Sequence, residues 1–391
     1  MIRFDKALDT VLAAARPLAS TEETTLDACV GRVLARAVSA DRPLPPYDRV
    51  AVDGYACRRS DLSEPLKVIG AVAAGAPPQR DIEPGTAIRV MTGGVLPAGA
   101  DTVVMVEHTV EEESGTVRVT QHNSHDNIAR TGEDAAQGEV LIPAGVRLAE
   151  RHIATLAAVG AVRPMVWKRP RVALISSGDE VIPPDEKPLP HQIRNSNGPM
   201  LAALCRRAGG EVSFTALVPD RLDDIASTIA IAIAKSDVVL VSGGVSKGDF
   251  DLVPASVHRL GGRILFDGVA IKPGKPTTAA LINETLLLCL PGNPVSVFVT
   301  FELFARPVID KAGGVTQPPI EHLFPLGNCY ERRSADRDEW IPSLLRGGKA
   351  YPLRYHGSGH FVSLVNADCL VRIPAGVTAI ASGESVHARL V

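Results

Sequence analysis

The stretch Asp237-Val-Val-Leu-Val-Ser-Gly-Gly244 decides the reading of the fold. Its apolar residues are continuous rather than alternating, the pattern of a strand buried on both faces. It then breaks into Ser and two glycines, which end a strand in a turn. Val172-Ala-Leu-Ile-Ser176 repeats the form, and residues 212–218 and 285–290 are further strand candidates. Between and after them, helical spacing runs over 197–208 (Met200, Leu201, Leu204), 222–234, 251–260 and 295–312. Strand–helix alternation over about 140 residues predicts a doubly wound, mostly parallel α/β sheet. Such sheets bind ligands outside the carboxyl ends of their strands.

Outward from this centre the pattern changes. Phe4, Ala7, Leu8, Val11 and Leu12 have helical spacing, as do Leu26, Val30, Val33 and Leu34, until Arg42-Pro-Leu-Pro-Pro46 stops it. Residues 49–135 hold short β-branched runs, and 103–110 with 116–120 read as a hairpin around a solvated acidic loop, Glu111-Glu-Glu113. Helical spacing returns at 148–160. After Gly313-Gly314 come short β pieces at 364–367, 370–373 and 385–391. The predicted fold is a multidomain α/β protein. Residues 1–48 and 136–168 form a discontinuous helical domain, 49–135 a small β domain, 169–314 the α/β domain and 315–391 a small β barrel-like domain.

Composition narrows the function. The chain has 391 residues, 45% hydrophobic and 22% charged, as in a folded protein of several domains. A net charge of −3 supplies no field for nucleic acid or an anionic membrane. The six cysteines contain no CxxC pair, which argues against a structural zinc site or a disulfide framework. Neither a signal peptide nor an apolar run of about 20 residues is visible, so a soluble cytoplasmic protein is expected.

The chemistry concentrates in glycine-bearing turns at the strand ends: Ser176-Ser-Gly-Asp-Glu180, Ser242-Gly-Gly-Val-Ser-Lys-Gly-Asp-Phe-Asp251 and Pro291-Gly-Asn-Pro-Val-Ser296. Glycines let backbone N–H groups approach an anion, and a following helix N-terminus adds its dipole. None fits a Walker A or dinucleotide fingerprint. Lys272-Pro-Gly-Lys-Pro276 sets two cations on a stiff backbone, suited to a phosphate or molybdate oxyanion. Carboxylates beside or near glycines (Asp53, Asp134, Asp179-Glu180, Asp249, Asp251) are the hard oxygen ligands Mg²⁺ takes. Gly244-Val-Ser-Lys-Gly248 also matches a nucleophile elbow, and Asp310, His322, His356 and His360 lie downstream, so a serine hydrolase using Ser246 is an alternative. That reading leaves Lys272, Lys275, Asp249 and Asp251 without a role.

With these turns the chain resembles the molybdopterin molybdenumtransferases, the molybdate-insertion family related to the gephyrin E domain. The resemblance rests on residues 45–56, 88–93, 99–105, Arg130-Thr-Gly-Glu-Asp134, 176–180, 242–251, 269–276, 290–296 and Gly357-Ser-Gly359. It implies four subdomains, a homodimer held partly by the helical domain, and a site shared with the partner's β domain. The implied reaction inserts molybdate into adenylylated molybdopterin, with Mg²⁺-dependent hydrolysis releasing AMP, after handover from the adenylyltransferase. The family's functional acids fall on Asp53, Asp134, Glu180, Asp220 and Asp251. Lys272, Lys275, Pro276 and Ser296 match positions associated with oxyanion and pterin binding, within motifs that also carry Pro291, Asn293, Pro294 and Ser358. On chemical grounds Lys272 and Lys275 neutralise oxyanions, Glu180 and Asp251 hold Mg²⁺, and Asp53 and Asp134 position water or metal. Ser177, Gly243, Gly244 and Ser246 cradle the terminal phosphate. Two expected cations are absent, at Gly268 and Pro342, which keeps open a preference for tungstate or a non-catalytic molybdopterin-binding scaffold.

Overall fold

The computed structural model describes residues 1–121, 124–244, 252–317, 320–353, 357 and 359–391. The chain forms two compact units. One comprises Met1–Ala35, Ala144–Ala149 and Met165–Val391, the other Arg36–Pro143 and Glu150–Pro164.

In the first unit, a six-stranded sheet runs in the order Glu211–Val218, Arg171–Ser177, Val238–Ser242, Thr285–Leu290, Thr278–Ile282, Arg263–Asp267. The first four strands are parallel, as expected; Thr278–Ile282 pairs antiparallel with Thr285–Leu290, and Arg263–Asp267 pairs antiparallel with Thr278–Ile282. Side chains alternate across a strand, and here the alternation separates two cores. Val172, Leu174, Val238, Leu240, Leu286 and Leu288 face one side, with Leu201, Leu204, Val295 and Val299 from helices Asn197–Arg207 and Pro294–Thr300. Ala173, Ile175, Val239, Val241, Leu287 and Cys289 face the other, with Ile225, Ile229, Val253 and Val257 from helices Leu222–Lys235 and Leu252–Arg259. Each fully buried Leu, Ile or Val stabilises the fold by about 1.5–3 kcal/mol.

The N-terminal helix Phe4–Ala14 joins the first of these cores through Phe4, Ala7 and Val11. Phe4 meets Trp340 edge-on at 5.4 Å between ring centroids. The helix expected over 26–34 does not form. Cys29 N–H bonds to Leu26 O and Arg32 N–H to Cys29 O in successive turns, Gly31 takes φ 78°, and Leu34 is drawn into extended pairing with Val146. Its apolar side chains satisfy two turns and a bridge, not a helix face.

The β-rich end of this unit is a sheet in the order Ile271–Lys272, Asp338–Arg346, Cys369–Ile373, Ser385–Leu390, His322–Pro325, with Lys349–Pro352 added to Asp338–Arg346. The strand expected at 364–367 is instead part of a 3₁₀ helix, Phe361–Asn366.

The second unit is built on a sheet in the order Thr102–Met105, Gly54–Cys57, Thr86–Val90, Leu66–Val72, Thr116–Val119, Thr109–Glu112. The hairpin is shorter than predicted. Val106–His108 forms a 3₁₀ turn that hands residues 102–105 to Gly54–Cys57, leaving Thr109–Glu112 to pair with Thr116–Val119. The acidic loop is not simply solvated: Glu111 accepts a hydrogen bond from the buried Tyr55 hydroxyl, and Glu112 pairs with Arg118 at 2.8 Å. Helix Glu150–Ala158 also belongs to this unit.

Candidate functional site

Because the parallel strands are in register, their carboxyl ends stop together: Ser176 lies beside Ser242, and Ser242 beside Leu290. The three glycine-bearing turns therefore start from one edge, and they touch. Gly243, at φ 94°, is so close to the first turn that a Cβ there would lie 2.4 Å from Ser177 O. A Cβ on Gly244 would reach within 3.0 Å of Ser177 Oγ, and one on Gly292 within 3.8 Å of Gly243 Cα. Only glycine allows the approach at Gly243 and Gly244, both at positive φ, whereas the Gly292 contact is an ordinary one.

Two buried oxygens at this edge, Ser177 Oγ and Asp220 Oδ1, have no hydrogen-bond partner among the described residues. Burial pushes the Asp220 carboxyl above its ordinary value; Asp179 and Glu180 push the same way. Ser177 is near enough to Asp220 to favour its charged form, but without hydrogen-bond geometry. Asp220 N–H bonds to Asp179 Oδ1 at 3.0 Å, while Glu180 is exposed at the rim. An orphaned carboxylate oxygen among acids suits a hard cation. Among the described residues, no group of three His, Cys, Asp or Glu side chains is placed to hold a metal ion. Mg²⁺ commonly needs fewer, completing its shell with phosphate oxygens and water.

A cavity of about 920 Å³ collects Lys272, Lys275, Pro276, Pro291, Asn293 and Ser296, with Arg337, Glu339, Cys329, Tyr330 and Gly357 from the β-rich end. Six predicted residues thus share one wall. Pro294 is not on that wall; it occupies the first turn of helix Pro294–Thr300, where its fixed φ suits helix entry. The lysine turn is rigid: Thr277 Oγ1 bonds to Gly274 O at 2.6 Å, and Val269 N–H to Lys275 O at 2.9 Å.

The two lysines are not equivalent. Lys272 Nζ lies 2.8 Å from Glu339, whose carboxylate is almost wholly buried and also 3.5 Å from Arg332. Lys275 is exposed and has no carboxylate partner among the described residues. Sequence reasoning missed Glu339 because strand pairing, not proximity in the chain, sets it beside Lys272. The two positions that lack the expected cations are both constrained by the backbone. Gly268 sits at φ 81°, where a long side chain would be strained. Pro342 lies within the Asp338–Arg346 strand, and the arginine just before that strand, Arg337, lines the cavity.

Asp53 and Asp134 belong to the other unit. Asp53 accepts hydrogen bonds from Thr92 N–H and Thr92 Oγ1, each at 2.7 Å, and the first of these most strongly holds its carboxyl below the ordinary value. Gly54 beside it is obligatory, since a Cβ would fall 1.9 Å from Val104 O. Asp134 is exposed, its backbone tied to Leu44 O. Asp48, unremarked in the sequence, fastens the loop before Asp134 by accepting from Thr131 N–H, Thr131 Oγ1 and Arg130. Ser246, Asp249, Asp251, His356 and Ser358 lie outside the described residues. Of the hydrolase candidates, Asp310 is engaged by Arg147 at 2.6 Å and His322 stacks on Phe324.

Three family models match in order: the MoeA N-terminal region (domain I and II) over residues 2–160, a probable molybdopterin binding domain over 173–311, and the MoeA C-terminal region (domain IV) over 329–391. The chain is 36% identical to a molybdopterin molybdenumtransferase of Nostoc, covering 94% of this chain and 88% of that protein. It is 34% identical to one of Bacillus subtilis, covering 95% and 90%. Its structure is similar to that of a molybdopterin biosynthesis MoeA protein of Pyrococcus horikoshii, with a TM-score of 0.87 at 30% identity and both chains fully covered.

Proposed function

The chain belongs to the molybdopterin molybdenumtransferase family, and on that premise we propose a finer reading of its site. It is a transferase of molybdenum cofactor biosynthesis that handles molybdopterin. The finer reading is that the substrate is adenylylated molybdopterin and that molybdate insertion accompanies release of AMP.

The observation that carries this reading is the cavity of about 920 Å³ that unites Lys272, Lys275 and Ser296 with Pro291 and Asn293 of the third strand-end turn. The lysines would neutralise molybdate or phosphate oxygens at a cavity wall, as preorganised charges do for a developing oxyanion. Ser177, Gly243 and Gly244 would receive the terminal phosphate. A water attacks one phosphorus of the anhydride, the P–O–P bond breaks, and AMP leaves with one phosphate. No protein nucleophile is needed, because positioning and charge suffice for phosphoryl transfer. Mg²⁺, held by Glu180 and Asp251 with Asp220 as a further donor, would offset charge on the phosphate oxygens. Asp53, kept ionised by Thr92, and Asp134 would position water or metal at a site completed by a second copy of the chain in a homodimer.

The four-domain division, the handover from an adenylyltransferase and a cytoplasmic location are parts of the same proposal. No described helix is long and apolar enough to cross a membrane. Incubating the purified protein with adenylylated molybdopterin, Mg²⁺ and molybdate should yield AMP and molybdenum cofactor together. Intact substrate after prolonged incubation, with binding demonstrated, would reject the reading.

A further inference from the structure

Glu339 holds a formal negative charge against the wall assigned to oxyanions, where it pairs with both Lys272 and Arg332. Its side chain is 4% exposed. Beneath it, Arg332 is locked, with Nε bonded to Val377 O at 2.7 Å, Nη1 to Arg337 O at 2.9 Å and Nη2 to Pro374 O at 2.6 Å. That immobile guanidinium faces one carboxylate oxygen at 3.5 Å, while the other oxygen meets Lys272 Nζ at 2.8 Å. The backbones are joined as well, since Ile271–Lys272 pairs in parallel with Asp338–Glu339.

An exposed lysine otherwise samples many rotamers and presents a poorly placed charge. A buried carboxylate anchored by a locked arginine restricts it to one direction, at the cost of cancelling part of its field. We propose that Glu339 is a positioning residue for Lys272. It sets the ammonium's direction at the cavity, and Arg332 restores the charge that Glu339 removes, leaving the trio at +1. This rests on the reading that Lys272 meets the oxyanion.

A double-mutant cycle tests it. Glu339→Gln should lower kcat about tenfold while leaving KM unchanged or lower, because a negative charge has left the anion's surroundings. In a Lys272→Ala background the same substitution should change kcat less than twofold, with Glu339→Asp restoring part of the kcat loss only when Lys272 is present. Equal losses in both backgrounds would overturn the positioning role and leave the lysine's role standing. If Lys272→Ala alone costs nothing, the oxyanion reading of that lysine fails first, and the positioning role fails with it. Thermal unfolding of each variant separates these outcomes from loss of fold.

Discussion

Single residues at the strand ends carry opposed demands of stability and chemistry. Asp220 has a raised carboxyl pKa because burial disfavours its charged form. The folded chain thus binds its proton more tightly than the unfolded chain. That contribution to stability is complete below the ordinary carboxylate range and is lost as pH rises through the raised value. Asp220→Asn should therefore raise Tm near neutral pH, with the gain vanishing in acid, while lowering turnover; melting curves across pH would show it. Asp53 has the opposite sign. Its lowered pKa gives stability that is present above the ordinary range and is lost as pH falls through the lowered value. Lys275, without a carboxylate partner among the described residues, should matter most for charge: Lys275→Ala should cost about 10²-fold in kcat, by analogy with removing one preorganised donor, in the AMP-release assay. Gly243→Ala should destabilise by about 1–3 kcal/mol and reduce activity, since backbone at φ 94° and Ser177 O both oppose a Cβ.

At the scale of elements, the parallel strands hold the site by register. Leu240 is fully buried in the core shared with helices Asn197–Arg207 and Pro294–Thr300. Leu240→Ala should cost about 2–5 kcal/mol in chemical denaturation, whereas Val110→Ala, at a position 53% exposed, should change stability by less than about 0.5 kcal/mol. The alternating strands and helices of the α/β sheet were legible in the sequence, because a doubly buried strand needs a continuous apolar run and its helices need 3.6-residue spacing. Residues 26–34 deceived that reading, since apolar positions three and four apart also suit consecutive turns. The strands Arg263–Asp267 and Thr278–Ile282 were not legible, because they are short, pair antiparallel with each other and stand outside the strand–helix alternation.

For the whole molecule, the decisive question is whether one chain completes its own site. If a partner supplies Asp53 and Asp134, mixing Asp53→Ala and Lys272→Ala subunits should restore about a quarter of the native activity, since half of the dimers would then carry one intact site of two. Reconstitution by unfolding and refolding the mixture, followed by the AMP assay, would measure it. No recovery would mean that each chain supplies both sets.

The sequence by itself determined the doubly wound sheet, the glycine-bearing turns and the lysine turn, because backbone propensity, buried runs and turn chemistry are local. Tertiary structure alone decided that Lys272 is tied to Glu339 while Lys275 stays without a carboxylate partner among the described residues. It also decided that Asp220 sits half-buried among acids and that Gly243 must meet Ser177. These facts depend on distances between segments remote in the chain, and neither composition nor periodicity encodes them. Charge is written in the sequence residue by residue, but its strength and direction at a site depend on which opposite charge folding brings within 3 Å.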